Sequence, residues 1–508
     1  MPDRWQTHSF EFKGGLITNL SPYQQGFQAP GSARILRNFE PSIFGGYRRI
    51  EGYEKFDSTT VPNTGIIRGI FRYGDLVYAV RGDDLFRSSG SGWTQISDNA
   101  TYNSAGVTIA NTGKVRFLKY NFDGTEKIML VDGASRPFRF DGTTFEELTS
   151  LPVDTLGSSF IINFKNHIFL GNGNNVVYSA SYADTDFTSA SGGGIINIAD
   201  PITGLVVFRD QLIIFGESTI HVLSGSSQGD FVLKPVSRDL GCVASDTIQE
   251  IGGDIVFLGP DGLRLFSATD RFGDFSLASI SKPVQNEILD LVSSSSGGFA
   301  STVIREKSQY RIFGYNSSYS NSSAKGVGFT QLQEGISFYD LRGINVYVVH
   351  SEYENRTELI YFGANDGYVY RMEQGNGFDG SKIQAIFATP YIPLGDPTVR
   401  KTIYKGTTYL DVNGEFDISY SLKFDFDQIG LIQPNSLLFS SDTSASVTYG
   451  AGVYGTSSFG GKQKAIYELQ TIGSGFTVST VYETTGTDLD SVFTIDAATL
   501  QYTTNARR

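Results

Sequence analysis

The stretch GLVVFRDQLIIFGESTIHVLSGSSQGDFVLKPV, residues 204–236, decides how the rest of the chain is read. Leu205–Phe208 is apolar, Arg209-Asp210 is polar, and Gln211–Phe215 turns apolar again. Gly216-Glu217-Ser218 breaks the run, Thr219–Leu223 alternates, and Phe231–Val236 follows a loop of Gly, Ser and Gln. Four short strands joined by tight turns make an up-and-down antiparallel sheet. LVVF and LIIF are apolar on consecutive residues, so both faces of these strands should be covered. A single four-stranded unit cannot cover itself. Neighbouring units must do so.

The sequence supplies them. Apolar strand, polar turn, apolar strand, small turn and alternating strand recur at 66–88, 115–142, 159–181, 247–269, 299–318 and 343–373, the last two less regularly. The first-turn residues Asp75, Gly124, His167, Asp210, Asp254, Ser308 and Arg356 lie 49, 43, 43, 44, 54 and 48 residues apart. A period in that range with four strands per unit predicts a β-propeller over 64–381. Seven blades are expected, or six if the last two copies form one. Aromatics just before the turn, Tyr73, Tyr120, Phe164 and Phe208, are read as packing between blades.

Composition agrees with an all-β class. The chain has 508 residues with 58 Gly, 27 Tyr and 38 Phe, and little helical periodicity. One helix is expected at Ser281–Val292, with Ser281 as cap, Pro283 in the first turn and Val284, Ile288 and Leu291 on one face. After 381 the pattern changes to longer strands, read as a C-terminal β-sandwich at 382–508 entered through Pro390, Pro393 and Pro397. Residues 434–462, rich in Ser, Gly, Tyr and Phe, are too long for a hairpin loop and read as a surface loop or an arm for another subunit.

A net charge of −13 argues against a protein that grips phosphates by bulk electrostatics. No apolar run approaches membrane-spanning length, and the start lacks the core of a signal peptide. Cys242, the one cysteine, reads as a small buried apolar residue. His8, His167, His221 and His350 are scattered, with no spacing for zinc or a nucleophilic triad. Turn aspartates are abundant for backbone reasons alone. SGSGWTQI (89–96) resembles an Asp-box but has Ser91 at the aspartate position. Asp425 and Asp427 would share a strand face, and GNGNN (171–175) lies between strands rather than ahead of a helix. These readings predict no catalytic residues, no cofactor and no metal.

Residues 1–63 lack the repeat. Arg34, Arg37, Arg48 and Arg49 form a basic cluster there in an acidic chain. They pair with Glu40, Glu51 and Glu54 or face solvent on one reading; on the other they are assembly contacts on a docking platform.

Several stretches together resemble the tail nozzle, or tail hub, proteins of short-tailed bacteriophages: ARILRNFEPSIFGGYRRIEGYEKF (33–56), FRDQLIIFGESTIHVLS (208–224), DGLRLFSATDRFGDFSLASISKPVQNEIL (261–289) and VFTIDAATLQYTTNARR (492–508). The resemblance implies a non-enzymatic virion protein, assembled in the host cytoplasm and located in the tail. It would form a homo-oligomeric ring, a hexamer, below the head-tail adaptor, carry tail fibres, spikes or a needle, and pass genome DNA without sequence-specific binding. An acidic wall suits such a conduit, since a basic one would hold the polyanion. The alternative is a tail-associated propeller that binds or hydrolyses glycans, which would need paired carboxylates in a cleft at the axis.

Overall fold

A computed structural model describes residues 5–103, 106–272, 279–318, 323–412, 414–428, 431–440, 463–485 and 489–505. The protein is nearly all-β, 48% strand against 9% helix, and built from many small antiparallel sheets. Among the described residues no helix is long and apolar enough to cross a membrane.

Seven of the sheets follow one another along the chain. The first runs Ile67–Tyr73, Leu76–Arg81, Asp84–Ser88, Thr94–Gln95, and the second Arg116–Tyr120, Lys127–Val131, Phe138–Phe140, Phe145–Glu147. The third is Phe160–Phe164, His167–Asn172, Asn175–Tyr178, Gly194–Asn197, and the fourth Ile202–Phe208, Gln211–Gly216, Ile220–Ser224, Val232–Ser237. The fifth has three strands, Gln249–Ile251, Asp254–Gly259 and Gly262–Leu265. The sixth starts with Phe299–Ile304, Gln309–Gly314, Lys325–Leu332 and Gly335–Arg342, and the seventh with Val348–Glu354, Thr357–Gly363 and Val369–Met372. The last two repeats thus lie in separate sheets.

The hairpin turns explain why the repeat folds locally. Lys165-Asn166, Arg209-Asp210 and Asn355-Arg356 all take positive φ on both residues, and Gly252-Gly253 does the same without a side-chain penalty. Paired positive φ values give a turn whose twist matches that of the flanking strands. Each second strand is then sealed on both faces: Leu212–Phe215 is buried throughout, as the consecutive apolar run requires. Leu205 and Val206 are only half-buried, because these residues of the first strand line a cavity. Phe164 and Phe208 pack on Phe169 and Phe266, at ring centroids of 5.9 and 6.4 Å, so the aromatics before the turn fill space between elements.

First strands lie side by side. Ile67–Tyr73 neighbours Arg116–Tyr120, which neighbours Phe160–Phe164, which neighbours Ile202–Phe208. That strand packs on the turn Ser245–Thr247 ahead of the fifth sheet, whose first strand neighbours Phe299–Ile304. Phe299–Ile304 neighbours Val348–Glu354, and Val348–Glu354 returns to Ile67–Tyr73.

Residues before 64 are threaded through these sheets. Tyr53–Lys55 pairs with Val369–Met372 as the fourth strand of the seventh sheet. Ile35–Arg37 extends the sixth sheet beyond Gly335–Arg342 and pairs on its other side with Ile386–Ala388. The same sheet continues through Val478–Thr484, Asp417–Phe424 and Leu437–Ser440, giving nine strands in all. Opposite it, Phe39–Pro41, Tyr47–Arg49, Phe493–Thr504, Lys401–Val412 and Gln463–Gly475 form a second large sheet, with Gln6–Glu11 on Phe493–Thr504. Aromatics meet between the two: Phe387 stacks on Tyr482 at 5.5 Å and takes the edges of Phe12 and Tyr47 at 4.7 and 4.8 Å.

The expected helix is present as a 3-10 turn, Lys282–Val284, followed by Gln285–Ser294, with Val284, Ile288 and Leu291 buried. Ser281 does not cap it; its Oγ accepts the Leu263 amide at 3.0 Å instead. The FDFD reading needs correction. Asp425–Asp427 is a turn, with φ of 48°, 66° and 55°, so the two aspartates do not share a strand face. Asp425 Oδ1 accepts the amides of Phe476 and Thr477 at 2.8 and 2.9 Å, which holds the chain in this unfavourable region. Of the long segment at 434–462, residues 441–462 lie outside the described residues.

Candidate functional site

The first strands of all seven sheets line one cavity of about 360 Å³. At one end the residues that open the strands carry charge. Lys114 Nζ, ahead of the second sheet, donates to Asp246 Oδ2 at 2.8 Å and to the Phe299 carbonyl at 2.6 Å. Arg116, two residues on, donates through Nη2 to Asp246 Oδ1 at 3.0 Å and Ser245 Oγ at 2.7 Å, and through Nη1 to the Ser159 carbonyl at 3.0 Å. Its guanidinium lies over the Phe160 ring at 4.6 Å. These bonds join the second sheet to the third, fifth and sixth, so they cross the cavity rather than follow its wall. Burial would raise the Asp246 carboxyl, but Arg116 and Lys114 outweigh it and hold it down at about 2. Burial lowers the Lys114 ammonium against the pull of Asp246.

The middle of the cavity is aromatic. Phe71 stacks on Phe117 at 5.4 Å and meets His350 at 4.9 Å. Burial pushes His350 down to about 4, so its ring is neutral at neutral pH. At the far end Arg72 bonds Glu354 at 2.6 Å and reaches Glu352 at 3.4 Å, and Lys119 also reaches Glu352 at 3.4 Å.

The four arginines of the N-terminal segment are not gathered into one patch. Arg48 donates to Glu40 Oε1 at 2.9 Å and to Glu51. Arg49 is fully buried and donates to the carbonyls of Asn376 and Asp490; burial lowers it to about 10. Arg34 donates to the Thr389 carbonyl at 3.1 Å and lies over Tyr391 at 5.2 Å. Arg37 pairs with Asp340 at 3.1 Å and keeps 40% of its side chain exposed, which leaves it open to a partner.

Glu40 belongs to a larger group that the sequence did not single out. Fully buried Arg311 bonds Glu40 at 2.9 Å, Glu373 at 2.7 Å and the Tyr339 hydroxyl at 3.0 Å. Lys307 pairs with Glu40 at 3.1 Å and with Glu373. Burial raises both carboxyls, and the cations outweigh it, so both sit below the ordinary glutamate value. This network ties the N-terminal segment to the sixth and seventh sheets. One sequence signal could have exposed the cavity charges: Lys114-Val115-Arg116 is a compact basic run at the mouth of a repeat in an acidic chain.

Cys242 is fully buried with its thiol pushed up to about 11 by desolvation, in keeping with an apolar filler. His167 Nδ1 lies 2.6 Å from the Ser179 carbonyl, inside the third sheet.

No family model matches the sequence, and no curated protein matches it. Solved structures similar to this chain include the following two. The computationally designed Ika8 protein shares 11% identity over 63% of this chain and 99% of its own, at a TM-score of 0.35. An exo-beta-1,3-galactanase from Phanerochaete chrysosporium shares 9% identity over 89% of this chain and 100% of its own, at a TM-score of 0.27. Likeness at this level carries no argument about function.

Proposed function

We propose that this chain is a structural subunit of a bacteriophage tail, a nozzle or hub protein that assembles with copies of itself into a ring under the head-tail adaptor. Its repeat region is a seven-bladed β-propeller: seven sheets in sequence order, each with its first strand on a common cavity, support that count over six. The long sheets at the end of the chain form a β-sandwich fused to it.

One observation carries the reading. The segment 33–56, which bears much of the resemblance to nozzle proteins, supplies strands to the sixth sheet, the seventh sheet and the large C-terminal sheet. Propeller and sandwich are thereby joined through backbone hydrogen bonds and the buried Arg311 network into one stiff body. A conduit for DNA under pressure needs that stiffness. The propeller axis does not itself serve as the path, because Lys114, Arg116 and Asp246 cross it. The path runs between subunits, where the overall acidity of the chain keeps the polyanion moving.

The glycan-hydrolase alternative asks for two carboxylates flanking a bond, one of them protonated near neutral pH. Among the described residues the carboxylate lining the cavity is Asp246, and two cations keep it ionised. The test is particle mass and symmetry by electron microscopy, with and without the adaptor. Rings of six copies are expected with it. A chain that stays monomeric in its presence overturns the proposal. Arg37→Ala should weaken ring formation while costing the monomer about 1 kcal/mol or less.

A further inference from the structure

The charges in the axial cavity do not balance. Lys114 and Arg116 both line it, and Asp246 is the carboxylate that answers them. Other charged groups near by are committed elsewhere. Arg68 is turned away to the carbonyls of Gly82, Thr112 and Gly113, with Asp132 and Asp83 at longer range. Arg72, Lys119, Glu352 and Glu354 pair with one another at the far end. One positive charge is left over at a half-buried site, and an unanswered charge there is costly.

Donors remain to receive an anion. Among the described residues Arg116 spends Nη1 on one carbonyl and Nη2 on Ser245 and Asp246, and Nε has no partner. Lys114 spends two of its three protons on oxygen, and its ammonium lies 4.8 Å from the centre of the Tyr347 ring, a weaker contact that an oxyanion can displace.

A second cavity of about 230 Å³ adjoins the first and shares Gln249, Ser301, Val349 and His350 with it. Its wall includes Thr302, only 2% exposed, whose Oγ1 has no hydrogen-bond partner among the described residues. A buried hydroxyl left unpaired costs about 1–3 kcal/mol. The wall also holds Ser301, Ser351 and the apolar Val303 and Val349, and Arg305, which Glu358 answers at 2.7 Å.

We propose that the paired cavities bind a small polar molecule with one anionic group, its oxyanion on Lys114 and Arg116 and its hydroxyls toward Gln249, Ser301 and Thr302. This site is independent of the ring-forming role: it lies inside one subunit and would survive if the chain proved monomeric. A carboxylate or a phosphate meets the same donors, and a hydroxylated chain of a few carbons fits the volume.

Isothermal titration of the full chain at constant ionic strength, with inorganic phosphate and with gluconate as probes, tests this. Both should bind the wild-type protein, gluconate more tightly. Asp246→Asn removes the competing carboxylate and should tighten both by about tenfold, whereas Lys114→Met should weaken both by at least about tenfold. Thr302→Val should weaken gluconate by several-fold and leave phosphate unchanged. Binding of neither probe to the wild type overturns the proposal, as does equal binding by Lys114→Met. Should the charge variants fail to fold, the wild-type titrations and Thr302→Val decide it alone. Phosphate binding with no preference for gluconate, and no effect of Thr302→Val, refutes the hydroxyl half.

Discussion

The repeat region and the C-terminal sheets solve the same problem in opposite ways. In the repeat region a strand finds its partner across a tight turn, as Val207 finds Leu212 and Asn163 finds Ile168. In the C-terminal sheets partners come from the two ends of the chain: Gln6 faces Tyr502, Tyr47 faces Ile495, and Ile35 faces Ala388. The first kind of pairing closes short loops and is cheap in entropy, while the second needs most of the chain in place before contacts reward it. Stability at the junction should therefore rest on a few long-range groups, and stability within the repeats on many short-range ones.

The sharpest way to break that contrast is at Arg311. Arg311→Met takes from Glu40 and Glu373 the one fully buried cation they share, leaving Lys307 and Arg48 at the edge of the group, and should cost about 3 kcal/mol in urea denaturation. A loss under 1 kcal/mol would show that the junction is held some other way. Phe387→Ala removes a ring wedged between Phe12, Tyr47 and Tyr482 and should cost about 3–5 kcal/mol in the same assay, destabilising both regions together. If calorimetry of that variant shows the repeat region melting separately at its original temperature, the two regions are not one cooperative unit.

Acid should act on the junction as well. The carboxyls of Glu40, Glu373 and Asp246 are held below their unfolded values, so each contributes stability above the unfolded value that is lost as pH falls through the folded one. Melting temperature should drop steeply between about pH 4.5 and 2. His350 adds an earlier limb. It is pushed down to about 4 by burial, with Glu352, Lys119 and Arg72 around it, so the folded state binds fewer protons than the unfolded chain. Stability from its neutral ring is complete above about pH 6.5 and fades toward 4, and His350→Phe should remove that limb. Within the repeats, Ile214→Val should cost only about 1 kcal/mol. Arg37→Ala removes a part-exposed partner of buried Asp340, which keeps Arg342 at 3.0 Å, so monomer stability should change by about 1 kcal/mol or less, and a larger loss would mean that Asp340 depends on Arg37.

What was legible in the sequence follows the same division. Consecutive apolar runs and turn residues announced the hairpins because both partners of each pair sit within one window. The half-exposed face of Leu205 and Val206 was not legible, since nothing local says which strand borders a cavity. The triplets Ile35–Arg37, Phe39–Pro41, Tyr47–Arg49 and Tyr53–Lys55 are too short to show a period, and their partners lie hundreds of residues away. The arginine cluster stood out as charge, yet Arg48 and Arg49 are engaged inside the molecule by Glu40, Glu51 and distant carbonyls. Phe424–Asp427 read as strand by alternation, and the structure turns there because Asp425 binds the backbone of Phe476 and Thr477.

The pairing of Lys55 with Tyr370 has a consequence for synthesis. Residues 53–55 leave the ribosome before the repeat array, yet the strand they dock on is made near its end. Until then the circle stays open, with the first and seventh sheets each showing a bare flank to solvent. A nascent chain in that state is a target for chaperones and for its own siblings on the same message, so the yield of this protein should depend on how fast ribosomes reach the seventh sheet.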